Sequence, residues 1–209
     1  MSKELSNPLI DIVGRALKSK PSGTAAKMQE RFVNAGQDVI ALCDVSGSMD
    51  DFVGSTRKSK RDHLVAALKD VLQGFPKLVI VAFSSRARQA RIQEMEADLA
   101  GQPVFCMLGG GTDMGGAIEY VAQHWKPRKT LLITDGVADD EDYALAAVEM
   151  LTGAIDTIYC GPDNDPSVSF LRKLSRAGVG LHVTWDGASE LAPTLRRLAL
   201  PEPKKGIAL

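Results

Sequence analysis

The sequence predicts an α/β fold: a doubly wound, mostly parallel sheet with one antiparallel edge strand and with helices on both faces. From about residue 38 onwards, short apolar runs typical of buried strands alternate with amphipathic helical patterns. This alternation favours parallel strands joined by helical crossovers. In the segment 86–92, Ala87, Gln89 and Arg91 alternate with their neighbours, which indicates an edge strand whose charges discourage further pairing.

The strand that opens the sheet is the apolar run from Val39 to Cys43, and the other elements follow in order. Further strands are expected at 78–83, 86–92, 129–134, 155–160 and 179–184, and helices at 60–73, 114–125, 141–151, 168–177 and about 191–198. Each helix repeats apolar residues at helical spacing, as Leu64, Leu68 and Val71 do in the first. Residues 93–108 carry no readable pattern.

We divide the 209 residues into an N-terminal helical extension (1–36), an α/β domain (37–200) and a short C-terminal tail (201–209). In the extension, Asn7 and Pro8 are typical of a helix start. The extension either packs on the domain or docks on a partner. Packing on the same chain is favoured, because exposed apolar patches are uncommon in monomers.

Composition and charge exclude several classes of function. The net charge of −1 lacks the basic excess of a nucleic-acid-binding protein. No apolar stretch approaches the roughly 18 residues that span a membrane. The first residues, MSKELSNPLIDIV, lack the pattern of a signal peptide, so we expect a cytoplasmic protein. Three cysteines, Cys43, Cys106 and Cys160, are expected to be small packing residues rather than disulfides or metal ligands.

Oxygen-bearing side chains follow the predicted strands at the ends where ligands bind in open α/β sheets. Asp44, Ser46 and Ser48 follow the first strand, and Asp135 follows the strand 129–134. Thr112 stands at the start of a helix, after a run of glycines that permits a tight turn. Right-handed crossovers place these loops on one edge of the sheet. Oxygen donors without nitrogen or sulfur suit a hard cation such as Mg²⁺.

Three segments carry a family resemblance: DVSGS at 44–48, GGGTD at 109–113 and LLITDG at 131–136. Together they resemble the von Willebrand factor type A (vWA) domain with its metal-ion-dependent adhesion site (MIDAS), and they imply its Rossmann-like fold. In that family the pattern is D-x-S-x-S, then a threonine, then an aspartate. The resemblance implies that Ser46, Ser48 and Thr112 coordinate Mg²⁺ or Mn²⁺ through their hydroxyls. It implies that Asp44 and Asp135 bind the metal directly or through water.

The function that the resemblance implies is metal-dependent protein binding. Neutral hydroxyls do little to quench the charge of the metal, so an Asp or Glu of a partner protein can complete its shell. Such a site grips a carboxylate and does not need to turn over a substrate, so we expect no enzymatic activity. Cytoplasmic members of the family often work beside ATPases of the MoxR type, in metal chelatases, or in stress operons.

Two other functions remain open from the sequence. One is an enzyme, in which Ser46 or Ser48 would be the nucleophile and His63, His124 or His182 the base. A metal-dependent hydrolase or phosphatase would instead rely on Mg²⁺ and carboxylates, which serve phosphoryl chemistry. The chain lacks the G-x-S-x-G elbow of such serine enzymes and the G-K-[ST] of a nucleotide-binding loop. The third possibility is a structural subunit whose metal site is vestigial.

Two charged runs lie near these segments. The basic residues Arg57, Lys58, Lys60 and Arg61 are interpreted as a solvated helix start, with attraction of an acidic partner as the alternative. The acidic run 139–142 is expected to supply negative charge to the N-terminus of the helix that follows.

Overall fold

The computed structural model describes residues 39–54 and 57–199. Its strands are β1 (Val39–Asp44), β2 (Val79–Phe83), β3 (Ala87–Ala90), β4 (Lys129–Thr134), β5 (Ala154–Cys160) and β6 (His182–Trp185). Its helices are α1 (Lys60–Gly74), α2 (Ile92–Leu99), α3 (Met114–His124), α4 (Glu141–Val148), α5 (Pro166–Ala177) and α6 (Leu191–Ala199). Two short 3-10 turns, Gly47–Asp50 and Cys106–Leu108, precede α1 and α3 respectively.

The described strands form one sheet in the order β3-β2-β1-β4-β5-β6. All neighbouring pairs are parallel except β2 and β3, which are antiparallel. The predicted doubly wound sheet with one antiparallel edge strand is therefore confirmed. The chain winds outwards from β1 to β3 and then returns to β4 on the other side of β1. The boundary between β1 and β4 is thus the switch point, where α/β sheets bind their ligands.

The strand β1 is buried on both faces, and its side chains alternate between two hydrophobic clusters. Ala41 and Cys43 pack in a cluster with apolar residues of α1, α2 and α6, whereas Ile40 and Leu42 pack with α3, α4 and α5. Helices therefore cover both faces of the sheet and hold the ends of β1 and β4 in place. Cys43 and Cys160 are buried in this core, and Cys106 is exposed.

Two elements differ from the sequence prediction. The helix α2 occupies part of the stretch without a readable pattern. It begins at Ile92, after the N-cap residue Arg91, whose backbone N–H donates to Glu94 Oε2 at 2.7 Å. The strand β6 begins at His182 instead of 179, because Val179 adopts a left-handed φ of 54°. That conformation ends α5, since Gly180 N–H donates to Ser175 O at 2.8 Å.

The predicted N-terminal helical extension (1–36) and C-terminal tail (201–209) lie outside the described residues, so both stay predictions. Within 39–54 and 57–199, no helix has the length and apolar character that crossing a membrane requires.

Candidate metal centre

The loops after β1 and β4 meet at the carboxyl edge of the sheet, and three of the predicted side chains are in contact there. Ser46 Oγ lies 3.1 Å from Ser48 Oγ, and Ser48 Oγ donates to Asp135 Oδ1 at 2.8 Å. Mg²⁺ holds its oxygens at about 2.0–2.1 Å in an octahedron, so adjacent ligand oxygens lie about 2.9 Å apart. Both separations therefore lie close to the edge length of such an octahedron.

Thr112 is brought to the same edge, beside the loop that follows β4. Its hydroxyl lies 3.3 Å from the position that a Cβ on Gly136 would take, so a larger residue than glycine would crowd it. Asp139 holds the threonine on two sides: Thr112 N–H donates to Asp139 Oδ2 at 2.9 Å, and Asp139 N–H donates to Thr112 O at 3.1 Å. Among the described residues, the Thr112 hydroxyl makes no hydrogen bond to the other four predicted ligands.

Asp44 is fully buried at the end of β1, and both of its carboxylate oxygens already have protein donors. Oδ1 accepts from Ser46 N–H at 2.8 Å, and Oδ2 accepts from the Thr134 hydroxyl at 2.6 Å. Burial raises the pKa of Asp44 to about 6, although the bonds from Thr134 and Ser46 oppose this rise. In this arrangement Asp44 shapes the loop that carries the serines and adds negative charge beneath it.

The glycine loop before Thr112 is fastened to the end of β2. The Ser84 hydroxyl donates to Gly109 O at 3.0 Å and to Gly111 O at 2.7 Å. Gly109 has a φ of 87°, and a Cβ there would lie 2.8 Å from the side chain of Ser85. The turn therefore requires glycine at this position. Sequence reasoning missed Ser84, which looks like an ordinary turn residue.

Arg61 corrects the interpretation of the basic run as a solvated helix start. It is buried, and its guanidinium donates to Val45 O at 2.8 Å and Ser46 O at 3.0 Å. It also donates to Asp98 Oδ2 at 2.5 Å. Arg61 thus holds the backbone of residues 45–48, which we call the serine loop, against α1 and α2. In the sequence, only the position of Arg61 shortly after the serine loop indicated that it could contact that loop.

Lys60 departs from the same interpretation, because its ammonium turns into the site. Lys60 Nζ lies 2.5 Å from Asp135 Oδ2 and 3.3 Å from Ser48 O. Arg57 and Lys58, in contrast, are exposed. Lys60 and Arg61 therefore belong to the candidate site, whereas Arg57 and Lys58 are solvated.

The acidic run 139–142 serves the local structure. Asp139 binds the backbone of Thr112, and Asp140 accepts from Tyr143 N–H at 2.9 Å to cap α4. The predicted negative charge at this helix N-terminus is confirmed, because Glu141 and Asp142 also lie in the first turn.

Two of the three histidines are held by neighbours in the fold. His124 Nδ1 lies 2.8 Å from Tyr120 O, and His182 Nδ1 lies 2.8 Å from Thr157 Oγ1. The ring of His63 packs against Trp185, with centroids 5.0 Å apart. The Ser48 hydroxyl donates its hydrogen bond to the carboxylate of Asp135 and not to a histidine.

The five predicted ligands offer only oxygen donors. No group of three or more His, Cys, Asp or Glu side chains able to hold a metal occurs in the described part of the chain. A metal at this edge would therefore depend on the hydroxyls of Ser46, Ser48 and Thr112. Hard oxygen donors of this kind fit Mg²⁺ or Mn²⁺ and do not fit a soft metal.

Comparison with known families shows the family to which the chain belongs. A family model described as "VWA domain containing CoxE-like protein" matches residues 26–176, well over half of the chain. The chain belongs to this CoxE-like VWA family. Domains of the VWA class commonly mediate protein–protein interactions. The matched range includes every segment of the candidate metal centre.

Solved structures resemble the CoxE-like VWA chain in fold at low sequence identity. An aerotolerance-related membrane protein from Bacteroides fragilis NCTC 9343 aligns with a TM-score of 0.59 and 15% identity, over 78% of this chain and 98% of that one. A von Willebrand factor type A protein from Catenulispora acidiphila gives 0.54 and 22%, over 77% and 41%. The SpRpn10 VWA domain gives 0.52 and 12%, over 77% and 94%. No curated protein matches the sequence significantly.

Proposed function

We propose that this CoxE-like VWA domain binds Mg²⁺ or Mn²⁺ at a MIDAS and uses it to grip an acidic residue of a partner protein. The observation that carries the proposal is the chain of close oxygens from Ser46 through Ser48 to Asp135, separated by 3.1 and 2.8 Å. Three hydroxyls and two carboxylates would hold the metal: Ser46, Ser48, Thr112, Asp44 and Asp135. When bound, the metal supplies an electrophilic centre that accepts an external carboxylate.

The protein's own contribution is to hold these oxygens in position before any ligand arrives. Arg61 donates to two backbone carbonyls of the serine loop, and Asp44 accepts from the backbone N–H of Ser46. Asp139 holds the backbone of Thr112. A site that is preorganised in this way loses little conformational entropy when a partner binds.

A binding role fits these contacts better than a catalytic role. The catalytic alternative requires one of the histidines as the base in hydrogen-bond reach of the serine hydroxyl. Ser48 Oγ instead donates to Asp135, and Ser46 Oγ pairs with Ser48. We therefore assign no catalytic residue.

The partner we propose is a cytoplasmic protein with an exposed Asp or Glu. The family resemblance favours an ATPase of the MoxR type, in a metal-dependent complex or a stress-response system. A structural subunit with a vestigial metal site is the alternative that the test below must exclude.

The substitution Ser48→Ala is expected to abolish metal-dependent partner capture without unfolding the protein, because Ser48 is exposed and its loss removes one hydroxyl of the set. Pull-down from the source cell, with Mg²⁺ or with EDTA, compares this variant with the native protein. The matched control is Ser169→Ala, which removes an exposed hydroxyl from α5. Partners captured equally well with EDTA, or by Ser48→Ala, would support the vestigial site instead.

A further inference from the structure

Lys60 forms a largely buried ion pair inside the candidate metal centre. Its ammonium lies 2.5 Å from Asp135 Oδ2, and the side chains are 14% and 1% exposed respectively. The same ammonium lies 3.3 Å from Ser48 O. Coulombic interactions at this depth are screened much less than those at the surface. The charge of Lys60 is therefore part of the electrostatics of the site.

The two oxygens of Asp135 have different neighbours. Oδ1 accepts the hydroxyl of Ser48, which belongs to the proposed ligand set, and Oδ2 accepts the ammonium of Lys60. The lysine thus engages the oxygen that the serines leave free. The ion pair between Lys60 and Asp135 Oδ2 can therefore persist while the hydroxyls of Ser46 and Ser48 bind a metal.

Lys60 is also held in place by its own element. It is the first residue of α1, and Ser59 before it caps the helix: Asp62 N–H donates to Ser59 Oγ at 3.1 Å, and Ser59 N–H donates to Asp62 Oδ2 at 2.8 Å. This capping box fixes the backbone of the first turn, and with it the point from which the Lys60 side chain leaves the helix. The ammonium itself is held by its contacts with Asp135 Oδ2 and Ser48 O.

We infer that Lys60 makes the loaded site select an anionic partner group, an inference that rests on the proposed function. A divalent cation and the carboxylates of Asp44 and Asp135 cancel in charge. Lys60 then leaves the loaded site with one net positive charge, which the carboxylate of a partner neutralises. Without Lys60 the loaded site would be neutral, and a partner carboxylate would make it negative. Asp51 Oδ2 lies 3.9 Å from the same ammonium, but the Asp51 side chain is 74% exposed, so solvent screens its charge. Asp139 is exposed as well.

This role predicts opposite effects of Lys60→Met on two ligands. Removing the ammonium removes its repulsion of the metal, so the affinity for Mn²⁺ should rise. It also removes the attraction for an acidic ligand, so the affinity for that ligand should fall. A lysine that only supported the fold would weaken both when replaced. Lys60→Arg retains the charge and should change each affinity far less.

The test uses Mn²⁺ alone and then acetate, with acetamide as the neutral probe. Calorimetry measures Mn²⁺ binding to the native protein, Lys60→Met, Lys60→Arg and Lys58→Met, where the last removes an exposed charge two positions away. Acetate is then titrated into the Mn²⁺-loaded proteins and followed by water-proton relaxation of the bound Mn²⁺. For Lys60→Met we expect tighter Mn²⁺ and weaker acetate binding, each by on the order of tenfold, which corresponds to about 1.4 kcal/mol.

The outcomes separate the inference from the proposed function. Parallel weakening of Mn²⁺ and acetate in Lys60→Met, unchanged affinities, or the same changes in Lys58→Met would overturn the role of Lys60 and leave metal binding intact. Absence of Mn²⁺ uptake by the native protein would overturn both. Acetamide that binds as well as acetate would show that the loaded site does not select for charge.

Discussion

Replacing Arg61 with methionine is expected to destabilise the domain by about 3–5 kcal/mol, the usual cost of removing one partner from a buried ion pair. Asp98, whose side chain is 9% exposed, would keep a nearly buried charge without its cation. The buried carbonyls of Val45 and Ser46 would also lose their donor, and each unsatisfied group costs about 1–3 kcal/mol. The costs of the unpaired carboxylate and of the two carbonyls do not add fully, because the serine loop can move and expose these groups to water.

Urea denaturation measures this change, and the chain provides a matched control. Lys69 on the same helix pairs with Glu96 on α2, as Arg61 pairs with Asp98, but these side chains are 53% and 39% exposed. An exposed pair contributes about 0–1 kcal/mol, so Lys69→Met should cost little. Equal losses for Arg61→Met and Lys69→Met would show that Arg61 does not clamp the loop.

The substitution Asp44→Asn is expected to lower the affinity for Mg²⁺ or Mn²⁺ at least a hundredfold and to stabilise the metal-free protein. Asparagine keeps the shape and can still accept from Ser46 N–H, while the Thr134 hydroxyl can rotate to accept from its amide. The variant lacks the negative charge that lies beneath the serine loop. Loss of that charge weakens the attraction for the metal directly.

The gain in stability follows from the pKa of Asp44, which burial raises from its ordinary value of 3.8 to about 6. A carboxyl group with a raised pKa in the folded state costs stability above that pKa and costs nothing below the unfolded value. The cost therefore appears as the pH rises from 3.8 to about 6. At neutral pH we expect Asp44→Asn to gain roughly 1–3 kcal/mol.

Thermal denaturation in EDTA measures the stability of Asp44→Asn, and calorimetry measures its metal uptake. Asp51→Asn is the matched control, because it removes the charge of an exposed aspartate on the same loop. A variant that binds metal like the native protein would remove Asp44 from the site. If metal-free Asp44→Asn is less stable than the metal-free native protein, the hydrogen bonds of Asp44 outweigh the cost of burying its charge, and the predicted gain in stability is wrong.

The sheet could be predicted because its strands are short apolar runs between clear turn signals. The antiparallel β3 was recognisable from the alternation of its residues, and the ends of β1 and β4 carried the oxygen donors. The helix α2 was not predicted, because eight residues with mixed polarity give little periodicity. The start of β6 was misplaced, since nothing in the sequence shows that Val179 takes the left-handed conformation at the end of α5.

The sequence indicated the residues that we propose as ligands, but not the residues that support them. Asp44, Ser46 and Ser48 are close in sequence and form a recognisable pattern. Arg61 was read as solvated because arginine is rarely buried, and only the fold brings Val45 O and Ser46 O to it. The contact between Thr112 and Asp139 joins residues 27 positions apart, and no local pattern announces it.

Titration of Mg²⁺ into the EDTA-treated and dialysed native protein by calorimetry tests the central claim most directly. The account predicts uptake at one site per chain, retained in Ser169→Ala and lost in Ser48→Ala. Ser48 is exposed, so its truncation leaves the fold intact and the loss reports the site itself. A native protein that takes up no Mg²⁺ or Mn²⁺, or a Ser48→Ala variant that binds as the native protein does, would contradict the account.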